Sequence, residues 1–140
     1  MLELFSYINY WAVLVAAIVY WILGSLWFGV FFGDAWGRLL TSHGLKLKNP
    51  SKKEMVNKFI VTFILNYIVV LGVAFIIEGF KITGAGDAIL LGIIIGVFIA
   101  AATMVTCFIW ESRPTKLVLL DIGYPILGII IASLIITLWP

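Results

Sequence analysis

Four long apolar runs separated by short polar segments set the pattern of this chain. They cover residues 8–32, 59–77, 88–110 and 117–139, with lengths of 25, 19, 23 and 23. A helix needs about 20 predominantly apolar residues to cross a bilayer core, so each run predicts a transmembrane helix. With their polar ends the predicted helices are residues 8–32, 51–78, 87–111 and 116–139. The expected fold class is all-α. Residues 1–140 form one domain, a bundle of four transmembrane helices with a short interfacial helix at 34–40. The first run lacks the basic start and small-residue end of a secretory signal, so it is expected to be retained.

The run 88–110 carries no charge, and small residues recur along it at Ala88, Gly92, Gly96 and Ala100. On an ideal helix these share an arc of about 120° with Thr103, Thr106 and Cys107. Such a face lets another helix approach closely, and this run is expected at the centre with the other three around it. The first helix has a comparable stripe, Asn9, Val13, Ala16, Tyr20, Gly24 and Trp27, and the fourth places Asp121, Gly128, Ala132 and Trp139 on one face. Gly92, Gly96, Ala100, Gly24 and Gly128 are therefore the expected helix-packing positions. Three small-residue faces exceed what one four-helix bundle needs, which predicts a homo-oligomer, most simply a dimer.

Turn chemistry places the helix ends. Asn49-Pro50 reads as a turn, and Ser51-Lys52-Lys53-Glu54 reads as a capping box that starts the second helix. Gly79 is the expected end of that helix and Asp87 the expected cap of the third. Pro125 removes the backbone bond to the Asp121 carbonyl, predicting a kink there.

Charge gives the expected orientation. The first loop and its flanks hold Arg38, Lys46, Lys48, Lys52, Lys53 and Lys58; the third loop holds Arg113 and Lys116; the opposite side has only Lys81. Eight against one predicts cytoplasmic first and third loops, with both termini outside. Composition agrees with the helix pattern: 64% hydrophobic, 11% charged and a mean hydropathy of +1.19, against about 25% charged in soluble domains. The lipid bilayer is thus the primary partner. A net charge of +2 gives no reason to expect nucleic acid.

Known chemistry is scarce. One cysteine, Cys107, and one histidine, His43, exclude the common zinc ligand sets and an intrachain disulfide. HExxH, GxSxG and P-loop motifs are missing, so no catalytic residue, metal or cofactor is expected. The informative residues are polar groups within apolar helices, where they are costly and read as candidate functional sites. Asp121 is the only charge inside any apolar run, and Asn66 lies about 12 Å along the axis from Lys58. With Trp27, Thr106, Arg113 and Arg38 they form a candidate polar site on the cytoplasmic side. Arg38 and Arg113 are the first expected partners of Asp121, then Asn66 and the Trp27 indole. Two functions fit: permeation or transport of a small solute or ion through that pocket, or a structural or accessory role in which these groups only tie helices together.

The chain also resembles the bacterial domain-of-unknown-function 1761 family of small four-helix membrane proteins. The resemblance rests on Asn9-Tyr10-Trp11-Ala12-Val13, on Leu23-Gly24-Ser25-Leu26-Trp27-Phe28 followed by Gly33 and Trp36, and on ESRPTKLVLLDIG at 111–123 with Trp139 near the end. Phe28 stands where tyrosine would be expected. The resemblance implies a four-helix bundle in the bacterial inner membrane and implies no activity.

Overall fold

Asn9 starts the first long helix. Its side chain accepts the backbone N–H groups of Trp11 and Ala12 at 3.1 and 3.2 Å, satisfying two of the free donors at a helix start. The structure, a computed structural model, describes residues 2–45 and 49–139; Lys46 and Lys48 lie outside the described residues. A 3₁₀ turn at Leu2–Ser6 precedes Asn9. The long helices are α1 (Tyr10–Phe31), α3 (Lys52–Phe80), α4 (Ala85–Trp110) and α5 (Thr115–Leu138). All four are long and apolar enough to cross a membrane. The short helix α2, Gly33–Ser42, follows α1 directly.

Local chemistry sets the ends. The last turn of α1, Trp27–Phe31, is π-helical. Gly33 then lets the chain fold back, because a β-carbon there would lie 2.8 Å from the Phe28 carbonyl oxygen. At Ser51 the capping box is complete: Glu54 N–H donates to the Ser51 hydroxyl, and Ser51 N–H donates to the Glu54 carboxylate. The end of α3 differs from expectation. Gly79 is helical, and Lys81 takes the left-handed position with φ 55°. Ile82 N–H reaches Ile77 O and Lys81 N–H reaches Glu78 O, the pairing of a Schellman end. The lysine is held there by Glu78 at 3.5 Å and by the Tyr7 ring. α4 starts after Gly84, with Asp87 inside its first turn.

The packing centre is α5, not the 88–110 run. α5 touches α1, α2, α3 and α4, whereas α4 packs chiefly on α5. α4 and α5 approach so closely that a β-carbon on Gly92 would sit 2.6 Å from the Ile130 Cα, and one on Gly96 3.0 Å from the Ile126 Cα. α1 and α5 exchange aromatic rings for glycines. Tyr20 of α1 covers Gly128, and Tyr124 of α5 covers Gly24, while the two tyrosine rings meet at 5.1 Å. Helices that lack a hydrophobic drive to associate in lipid use close packing of this kind. The fully packed core joins Val13, Ala16, Ala17 and Tyr20 of α1 to Val70, Val73 and Ala74 of α3 and to Ile129 and Ala132 of α5.

α4 contains a second π stretch, Ile94–Ala101. It delays the helix rotation, so the inward positions run Ala88, Gly92, Gly96 and then Ala101, with Ala100 half-buried. Thr103, Thr106 and Cys107 consequently turn outward and are exposed.

Candidate functional site

The first half of α3 stands away from the bundle. From 52 to 65 every residue is exposed except half-buried Phe63, and the first buried residue is Asn66. Opposite this half, α2 folds back onto α5 and buries Leu40. Trp36, one turn before Leu40 on the same face, points at the start of α5.

Asp121 lies there, 7% exposed. Trp36 Nε1 donates to Oδ1 at 3.1 Å and Arg113 Nη1 donates to Oδ2 at 3.1 Å. Both carboxylate oxygens thus have donors, one from the surface helix and one from the α4–α5 turn. Arg113 also donates to Glu111 at 2.6 Å and stacks over Phe108 at 4.4 Å. A buried carboxylate is tolerable only with such pairing. Three residues further along α5, Tyr124 accepts a bond from Asn66 Nδ2 at 2.9 Å and meets Phe28 edge-on at 5.7 Å. Phe28 in turn packs on Trp36 at 5.5 Å.

These groups border an open cavity of about 620 Å³ between α1, α2, α3 and α5. Its walls are largely aromatic, from Trp21, Phe28, Trp36, Phe59 and Tyr124, and its charged lining is Lys58, Arg113 and Asp121. The size lies within the range of small-molecule sites, about 300–1,000 Å³.

Of the residues singled out in the sequence, Arg113 meets Asp121 directly. Asn66 reaches the site through Tyr124. Trp27 donates to the Leu120 carbonyl at 3.0 Å, with its ring over Gly123. The carbonyl that captures a side-chain donor beside Pro125 is therefore that of Leu120, not that of Asp121. Thr106 is exposed and donates to Ala102 O in its own helix, a consequence of the π-helical rotation of α4. Arg38 is exposed and makes no ion pair with Asp121.

The contributions of Trp36, Tyr124, Trp21 and Lys58 do not emerge from the sequence reading. A usable signal existed for two of them: Tyr124 follows Asp121 by three residues and so shares its face, and Trp36 shares a face with Leu40. Among the described residues no three His, Cys, Asp or Glu side chains come together.

Residues 11–137 match the family described as "Protein of unknown function (DUF1761)". No curated protein and no solved structure matches the chain. The chain belongs to the DUF1761 family.

Proposed function

We propose that this DUF1761 member is a small multi-pass protein of the cytoplasmic membrane that binds a small solute or ion in the α2-side pocket and passes it across or into the bilayer. The observation that carries this reading is the open cavity reaching Asp121 and Arg113. Intramembrane ionisable groups that face a cavity mark permeation paths by default. In this reading the lysine-rich α2 end faces the cytoplasm and both termini face out, supported by the eight-to-one Lys and Arg asymmetry. We also propose a two-fold homodimer.

A test of the pocket uses thiol reactivity in a Cys107→Ser background. Thr62 lines the cavity, whereas Ile64 of the same helix is exposed away from it. Thr62→Cys is expected to react with a charged, water-soluble thiol reagent, and Ile64→Cys is expected to be inert in a bilayer. Equal inertness of both would overturn a water-reached pocket.

One observation favours the accessory reading instead. Both oxygens of Asp121 are occupied by protein donors, as in a carboxylate that only ties α2 and the α4–α5 turn to α5. In that case no solute flux accompanies the fold.

A further inference from the structure

The pocket changes character along the direction of the long helices. Lys58, Arg113 and Asp121 stand at its α2 end beside Pro50 and Met55, whereas Trp21, Gly24 and Tyr124 line its deeper part. Trp21 and Gly29, both in the wall, lie eight residues apart on α1, about 12 Å. This polarity gradient runs the same way as that of a lipid leaflet.

The charges are unequal. Asp121 is compensated inside the protein by Arg113 and Trp36, and Arg113 is shared with Glu111. Lys58 makes no ion pair among the described residues. The lining therefore offers one uncompensated cation above an aromatic slot. A cationic ligand would meet Lys58 and find no free carboxylate oxygen.

The slot is also open to the side. The Trp21 indole bridges α1 and the first half of α3, donating to Phe59 O at 3.2 Å and meeting Phe59 and Phe63 edge-on. Above it, residues 52–58 of α3 are all exposed.

We propose that the pocket, taken as a binding site as above, holds an anionic amphiphile: a carboxylate or phosphate head on Lys58 at the membrane surface and an apolar chain lying over Trp21, admitted sideways between α1 and α3. The lysine stem reaches the surface while its ammonium meets the head. The aromatic walls take the chain, and the few polar groups fix its orientation.

The test uses tryptophan quenching in nanodiscs of zwitterionic lipid, in a variant with Trp11, Trp110 and Trp139 replaced by phenylalanine, so that the pocket residues Trp21 and Trp36 report together with Trp27, which lies outside the lining and adds a constant background. The probes are a brominated long-chain carboxylate, the matching alcohol and the matching trimethylammonium. The carboxylate is expected to quench saturably. Lys58→Gln should raise its half-saturation about tenfold, as for loss of one charged hydrogen bond, and Lys58→Arg should leave it within about twofold. Displacement by unlabelled palmitate supports a free amphiphile as the source of the head, and displacement by phosphatidylglycerol supports a membrane lipid. Saturable binding of the alcohol or the ammonium as tight as that of the carboxylate, or no effect of Lys58→Gln, overturns the anionic class and leaves the pocket standing. Linear, unsaturable quenching by all three probes overturns both.

Discussion

Asp121 is held by donors from two different elements, which makes its charge and its acceptor capacity separable by mutation. Asp121→Asn keeps an oxygen for Trp36 and loses the ion pair to Arg113; the expected cost is about 1–3 kcal/mol. Asp121→Leu leaves Arg113 and the Trp36 N–H without their partner, and the expected cost is about 3–5 kcal/mol. Melting profiles of the two variants in the same detergent check the order, and equal destabilisation would show that the hydrogen bond to Trp36 contributes nothing. The same pair separates the two functional readings. If the carboxylate serves permeation, Asp121→Asn folds yet loses proton- or cation-dependent flux in liposomes; flux kept at the wild-type level would assign Asp121 to structure alone. Close packing gives a second residue-scale expectation. A β-carbon at Gly128 would overlap the Tyr20 ring, so Gly128→Ala should destabilise by about 1–3 kcal/mol. In a Tyr20→Ala background the same change should cost much less, since contacting sites are not additive. Asp121, Asn66 and Arg113 were legible because polar groups stand out in or beside apolar runs. Trp36 and Tyr124 stood out less, because aromatic rings are common near membrane surfaces; the role of Trp36 arises only when α2 folds back at Gly33, and that of Tyr124 only when Asn66 of α3 packs against α5.

At the scale of elements, the four spans, the short helix after the first and the capping box at Ser51 follow from local sequence, because run length and turn chemistry act within a few residues. The centre of the bundle does not. Which helix is most enclosed depends on partners far along the chain, and α5 takes that place by receiving Tyr20 and Trp27 of α1, Trp36 of α2 and the close approach of Gly92 and Gly96 of α4 around its circumference. The outward turn of Thr106 was likewise invisible to an ideal helical wheel, since a π stretch inserts a residue into the turn. Two glycines test the close α4–α5 contact. Gly92→Ala places a methyl group against the Ile130 backbone and should lower the melting temperature. At Gly72 an added β-carbon meets nothing within 4 Å, so Gly72→Ala should be neutral or stabilising by about 0.5–1 kcal/mol, the helical preference of alanine over glycine. Equal shifts in melting temperature for the two variants would mean that the close approach is not present in the folded protein.

For the whole molecule, orientation and assembly are the two remaining expectations, and both have direct tests. In a Cys107→Ser background, Thr83→Cys should be labelled by an impermeant reagent on intact cells, and Asn49→Cys only after permeabilisation; the reverse would invert the topology. Assembly needs a surface that the fold leaves unused. Gly24, Gly92, Gly96 and Gly128 all close on partners within the chain, so the small faces that suggest association in the sequence are occupied inside the bundle. One surface left open is the outer side of α4 beyond its π stretch, where Ala102, Thr103, Thr106 and Cys107 are exposed. α4 packs chiefly on α5, which leaves this side clear of the other helices, and small residues there permit a second helix to approach. A two-fold contact is isologous, so each position meets its own copy's surroundings across the axis. Cys107, close to the α2 end of this face, would then lie near its counterpart. A short bis-maleimide is expected to trap a covalent dimer through Cys107 in native membranes. Thr103→Leu with Thr106→Leu should reduce that yield without lowering the melting temperature of the chain. Native mass spectrometry showing only monomer across concentrations and mild detergents, together with no trapped dimer in membranes, would overturn the assembly.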